Sequence, residues 1–377
     1  MQAGATRRCI APAALLAATC ALALLPEAGR LVRDDGETAC AEVVETDDSG
    51  VALHGMVEFG TQRLKVRLRD GTIREAANEL RAQLELDKKF AVGDTALVIL
   101  PGRGGLDDVL IARDHWRMGW ILAAFAVFAA FLWAFGGLTG LKALFSFVFS
   151  CLAIWKLLIP LALKGHHAST VSFLTVAVLT AIIMYLVAGW NRKGLSAFAG
   201  AMLGVLASLA LAHLFSRLMH VNGATMPFAQ QLLYAGVPSI DLMDVFVGAI
   251  VLASSGAVMD LAMDIASGID EVALADPSLG FRELFRCGTR LGRAVVGTMT
   301  TTLLLAYSGG YLTLLMVFAS QGTSPADFLN STVVSAEIVR TLVGSFGLVL
   351  VAPFTAAAGA WFCSRRARLP GGAIRKG

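Results

Sequence analysis

Seven stretches of this chain run for about twenty mainly apolar residues, at 120–137, 141–163, 171–190, 195–215, 245–266, 294–319 and 338–363. A helix needs about 20 such residues to cross the hydrocarbon of a bilayer, where only a helix or a closed barrel satisfies its own backbone. The pattern predicts an α-helical polytopic membrane protein, with the lipid bilayer as its first partner. Composition agrees: 16% of the 377 residues are charged, against roughly 25% in soluble domains. An eighth segment, 10–25, is shorter and follows Arg7 and Arg8. We read it as a retained anchor, because no A-x-A cleavage site follows it and Thr19 makes a poor lipobox before Cys20.

Short loops rich in Lys and Arg stay on the cytoplasmic side. With the N-terminus inside and eight crossings, Lys142, Arg192, Lys193, Arg282, Arg286, Arg290 and Arg293 fall inside, together with the basic tail. The 320–337 loop has neither Lys nor Arg and falls outside. Four regions result: an anchor at 1–26, an extracytoplasmic domain at 27–117, a seven-helix membrane domain at 118–364 and a basic cytoplasmic tail at 365–377. Both termini are expected in the cytoplasm.

The 27–117 region alternates apolar and polar residues at 39–46 and 62–69, and strands are also expected at 91–100 and 109–112. Residues 74–86 read as a helix. The sum predicts a small β-rich barrel of OB or SH3-like type between the first and second membrane helices. It holds 13 Lys and Arg against 18 Asp and Glu, so it offers a nucleic acid no electrostatic footing.

The polar residues inside the apolar segments carry the functional expectation. Asp260 and Asp264 lie four apart, so with Gly256, Ser267 and Glu271 they form one helix face opposite Val258, Leu261, Ile265 and Ile269. A carboxylate at helix centre costs about 2.5–3.5 kcal/mol on insertion scales and usually faces a bundle interior or a watery cavity. Two of them, ~6 Å apart along the axis, repel each other and favour holding a proton or cation. The next segment begins at the same depth and carries Thr298 and Thr301, whose hydroxyls are candidate co-ligands. Arg290 and Arg293 stand at its start as candidate charge partners. A second cluster, Glu337 and Arg340, is spaced to pair on one helix face. Six scattered cysteines without CxxC do not make a metal site, nor do five of the six histidines, His115, His166, His167, His213 and His220, which lack fixed spacing. No GxSxG, P-loop or HExxH is present, so neither an enzyme nor a cofactor is expected.

Three runs, GAVMDLAMDIASGIDE at 256–271, GRAVVGTMTTTLLLAYSGG at 292–310 and EIVRTLVGSFGLVLVAPFTA at 337–356, resemble the YibE/F-like family of bacterial multi-pass membrane proteins. The layout of anchor, β-rich region with Gly93, Asp94 and Val98, and seven helices is similar too. The resemblance implies a bacterial cell-membrane location and leaves the substrate open. Two readings are consistent with these residues. One is a secondary transporter or channel using Asp260 and Asp264 for an ion, a proton or a small solute. The other is a non-transporting scaffold or envelope-assembly factor with structural ion pairs, whose partners are a second copy or an extracytoplasmic protein.

Overall fold

The structure is a computed structural model that describes residues 37–100, 109–189, 191–234 and 240–364, together with Thr19 and Leu22. The anchor at 1–26 and the tail at 365–377 lie outside these residues, save that Leu22 packs on the cluster of Phe149, Ala153 and Leu179. Two compact units form, one over 32–141 and one over the remainder.

The first unit contains a β-barrel. Its strands are β1 (Glu37–Asp47), β2 (Val51–His54), β3 (Val57–Leu68), β4 (Ile73–Arg81), β5 (Thr95–Leu100) and β6 (Leu110–His115). The order β1-β5-β6-β4-β3 closes through a β1–β3 pairing, and β2 extends β3 as a hairpin. The β4–β6 pair is parallel and the other pairs are antiparallel. This ring has OB topology. Alternation fills it: Ala41, Val43, Leu64, Val66, Ala76, Val98 and Leu110 point inward and are buried.

The segment expected to be a helix from Arg74 onward is strand β4 instead. Its residues (IREAANELR) favour a helix locally, but Ala76, Asn78 and Leu80 recur at the strand period and are buried, and β3 and β6 pair with both edges. Tertiary pairing overrides a weak propensity. A buried amide network then seals the barrel. Gln62 Nε2 donates to the Phe90 carbonyl and Gln62 Oε1 accepts from Phe90 N, at 2.9 and 3.0 Å. Asn78 Nδ2 donates to Lys88 O at 2.6 Å and to Gln62 Oε1 at 3.1 Å. The 82–90 connection is held down by these two side chains.

The helices are α1 (Met118–Ala153), α2 (Ile159–Leu163), α3 (Ala168–Ala188), α4 (Arg192–Leu218), α5 (Ala229–Tyr234), α6 (Leu242–Ala275), α7 (Phe281–Gly310), α8 (Leu312–Ser320), α9 (Pro325–Asn330) and α10 (Thr332–Ser364). A π-helical turn, Ile154–Leu158, joins α1 to α2 and contains Lys156. Among the described residues five helical stretches are long and apolar enough to cross a membrane, or six if α7 and α8, bent by 65°, form one span. The two spans that the sequence predicts, 120–137 and 141–163, lie within one helical stretch, Met118–Leu163. That stretch is broken at Gly137, whose φ of 52° and ψ of −130° are not helical. A Cβ on Gly140 would stand 2.9 Å from the carbonyl carbon of Leu132. Eight residues of unbroken helix would separate those positions by about 12 Å, so the axis turns sharply at the glycine.

Small residues bring the helices of the second unit together. Gly200, Gly204 and Ser208 of α4 lie four apart and meet Thr355, Val351 and Gly347 of α10 in antiparallel order. A Cβ on Gly204 would be 2.9 Å from Val351 Cβ. On another side of α10, Gly288 and Gly292 of α7 meet Ala356 and Ala352, again antiparallel. Close approach through small residues is how helices associate where lipid is as apolar as the side chains. Gly204→Val should overpack this seam, at about 1–3 kcal/mol, and lower the melting temperature of the purified protein. Gly256→Val, at an α6 glycine open to its surroundings, should leave it unchanged.

The barrel carries a pH prediction. Asp48 is hydrogen-bonded by Lys89 and then by Gln62, which hold its carboxyl below the ordinary carboxylate range. A depressed folded value means that the pair stabilises the barrel above the unfolded carboxyl value of about 3.9 and loses that stabilisation as pH falls through the folded value. Acid unfolding followed by amide exchange at Phe90 should steepen below about pH 4, and Asp48→Asn should flatten it.

Candidate functional site

Helix α6 is 34 residues long, about 51 Å. Asp241 caps it by accepting from Met243 N at 2.9 Å and Asp244 N at 3.4 Å. Its inner face is the expected one, for Val258, Leu261, Ile265 and Ile269 are buried. Gly256, Asp260, Asp264 and Glu271 lie on the opposite side and are exposed from the packed core. Ser267, between them, donates to its own helix at Met263 O, 2.7 Å away. Asp260 stands 18 residues beyond Leu242, about 27 Å along the axis, near the middle of the helix.

Helix α7 runs antiparallel beside it. Gly288 packs on Ile269, and one turn later Gly292 packs on Ile265. Continuing that register puts Asp264 level with Arg293, and Asp260 level with Gly297 and Thr298. On that register the two polar stretches stand at one level of the helix pair. The facing is different: Thr298 and Thr301 are exposed on α7, away from Leu284, Gly288 and Gly292, which pack inward. Their hydroxyls donate within the helix, Thr298 to Val295 O at 2.9 Å and Thr301 to Gly297 O at 3.0 Å. Each still has oxygen lone pairs to offer. Arg290 and Arg293 are exposed, and among the described residues neither forms an ion pair with Asp260 or Asp264. The two acids, the two threonines and Gly297 are all exposed, at neighbouring levels of the adjoining helices α6 and α7.

The family model described as YibE/F-like protein matches residues 124–365, which takes in α6, α7 and α10. The chain belongs to the YibE/F-like family. No curated protein and no solved structure gives a match.

The other charges within the YibE/F-like region are held differently. Arg340 Nη1 lies 3.0 and 3.2 Å from the two carboxylate oxygens of Glu337, one turn earlier on α10. Its guanidinium carbon stands 5.6 Å above the Phe246 ring of α6, a cation–π contact that joins two helices. The buried Tyr307 hydroxyl of α7 reaches Gly344, one turn further along α10, where a Cβ would be 3.2 Å away. The expected pair is formed, and through Arg340 it links α10 to α6.

Sequence reasoning misses one buried acid. Asp244 is 7% exposed and accepts from the Ser169 hydroxyl and, at 3.2 Å, from the Ser169 main-chain N–H. His167 Nδ1 lies 3.8 Å from the same carboxylate. Ser169 is in the first turn of α3, so Asp244 supplies an anion to the N-terminus of a neighbouring helix while sitting in the first turn of its own. The motif Asp241-x-x-Asp244 before an apolar run signals a helix start, but nothing in it names Ser169. Among the described residues no three His, Cys, Asp or Glu side chains gather where one metal ion would reach them.

Arg340→Ala should leave Glu337 partly buried without its cation and destabilise the bundle by about 3–5 kcal/mol, as for other broken buried pairs. The double variant Glu337→Gln, Arg340→Met should recover most of the melting temperature, because it removes both charges.

Proposed function

We propose that this YibE/F-like protein is a secondary transporter or channel whose α6–α7 surface carries a cation or proton site. Asp260 and Asp264 hold the charge, and Thr298 and Thr301 supply neutral oxygens beside it. One observation carries the reading: of the acids on α6 and α10, Glu337 and Asp244 have partners, whereas Asp260 and Asp264, near the middle of α6, have none among the described residues, and neither have Asp270 and Glu271 closer to its C-terminal end. Carboxylates at mid-span avoid acyl chains. Their exposure therefore supports a hydrated path along this surface rather than contact with lipid. Gly256 and Gly297, at which a Cβ would meet nothing within 4 Å, leave room for it.

The Lys and Arg distribution supports a cytoplasmic placement of both termini and an extracytoplasmic barrel, in a bacterial cell membrane. Polar groups near the bilayer interior on adjoining helices are the usual setting of a coupling-ion site. Binding needs no further cofactor, since carboxylate and hydroxyl oxygens suit a hard cation or a proton.

The experiment is a melting scan of wild type and the Asp260→Asn, Asp264→Asn double variant against monovalent and divalent cations and pH. A cation at 100 times its dissociation constant should stabilise the wild type by about 2.7 kcal/mol and the variant not at all. Single cysteines at 256, 260, 264, 298 and 301 should react with an aqueous thiol reagent in proteoliposomes. Protection of all five positions, with no ion-dependent melt, would remove the transport reading and leave a scaffold.

A further inference from the structure

The barrel has an apolar end. Leu53, Met56 and Leu84 are 71%, 95% and 80% exposed and surround a cleft of about 320 Å³ closed behind by Leu80. Phe59 is exposed nearby. Large apolar side chains projecting together from a small domain mark an interaction surface, and the strand register says where this one points. β4 and β6 are parallel, with Ala76 opposite Leu110 and Ala77 opposite Ile111. Four residues further on, β4 reaches Arg81 and β6 reaches His115, the last residue of its strand. Phe59 pairs with Arg81, and the β2–β3 hairpin continues past that level to Gly55 and Met56. Leu84 follows Arg81 by three residues. The apolar cluster therefore occupies the end of the barrel from which β6 leaves.

Beyond β6 the chain enters the membrane almost at once. Trp116 donates its N–H to Thr95 O at 2.7 Å, so it still belongs to the sheet. Only Arg117 separates it from the apolar helix α1, and Trp120 is exposed in that helix's first turn. Tryptophans at this position mark the headgroup level, and the headgroup zone on each side is only about 5–7 Å deep. The end of the barrel that carries Leu53, Met56 and Leu84 is thus held at the lipid surface by the chain itself.

We propose that this end of the barrel is a membrane-contact surface, with Leu53, Met56 and Leu84 inserted at the boundary of headgroups and acyl chains. Burying such side chains in the interface is the mode of monotopic anchors. The nearby acids do not oppose it. Glu58 is engaged by Lys89 at 2.9 Å, and Asp87 accepts from Arg81 N and Gln83 N at 3.0 and 2.7 Å. Glu85 sits at the headgroup level, where a carboxylate stays hydrated. The segment is also built to project: Ala82 has a φ of 60°, a left-handed conformation that a non-glycine residue keeps only where its surroundings impose it. The two Asp87 hydrogen bonds on either side impose it here. The contact would fix the barrel against the bilayer on one face, independently of what the helices transport.

The test is photo-crosslinking of the full chain in phosphatidylcholine–phosphatidylglycerol proteoliposomes, with p-benzoylphenylalanine in place of Met56, Leu84 or Ile73. Ile73 is 56% exposed and starts β4, at the opposite end of the barrel. Intact-mass analysis should show lipid adducts at 56 and 84 and none at 73, with slow exchange of the Phe90 amide confirming a folded barrel in each variant. Protein adducts at 56 and 84 would assign the surface to a protein partner instead. Lipid adducts at all three positions, or at none, would equally overturn the proposal.

Discussion

The helical unit depends on how closely α10 approaches its neighbours. Gly347 of α10 has no room for a side chain because Ser208 of α4 occupies the space, and Gly200 is filled in the same way by Thr355. Ser208 Oγ and Thr355 Oγ1 are buried with no conventional partner among the described residues. They lie on glycine Cα atoms, where weak Cα–H···O contacts recur between close helices. The same helix receives α7 through Gly288 and Gly292. With lipid offering no hydrophobic drive between helices, dispersion at these short separations is what holds the bundle.

That arrangement decides which faces remain outside. Because α6 turns Val258, Leu261, Ile265 and Ile269 toward this packed centre, Asp260 and Asp264 must lie on its other side. Because α7 uses its glycines to reach α10, its threonines must face away as well. The polar surface is therefore a consequence of small-residue packing, and the two acids keep open coordination because of it. Glu337 and Asp244 sit where helices converge, and both are satisfied by neighbours. The contrast between partnered and open carboxylates within one YibE/F-like bundle gives the transport reading its physical content.

The barrel obeys a different constraint. It is small, and two buried amides, Gln62 and Asn78, stand in for core volume by fastening the 82–90 connection across it. That connection in turn presents Leu84 beside the β2–β3 hairpin. An aqueous domain that shows three large apolar side chains at the end from which a membrane helix emerges has a surface suited to the place where it is tethered.

Period and composition alone determined the membrane class, most helix positions, the inner face of α6 and the barrel, because burial in lipid or in a small core imposes a strict hydrophobic pattern. The YibE/F-like motifs were legible by resemblance, as contiguous runs at 256–271, 292–310 and 337–356. Glu337 and Arg340 were legible too, since a spacing of three on one helix is a local rule. Tertiary structure decided the rest. β4 became a strand because two neighbours pair with it, although its residues favour a helix. The 118–163 stretch breaks at Gly137, where the apolar pattern ends one segment, but only the structure gives the backbone conformation there and the approach of Gly140 to Leu132. Asp244 finds Ser169, 75 residues away in sequence, and the Asp260 and Asp264 stripe shares a level with Thr298 without facing it. Local rules specify what each helix presents, but only packing against the others selects which face meets which.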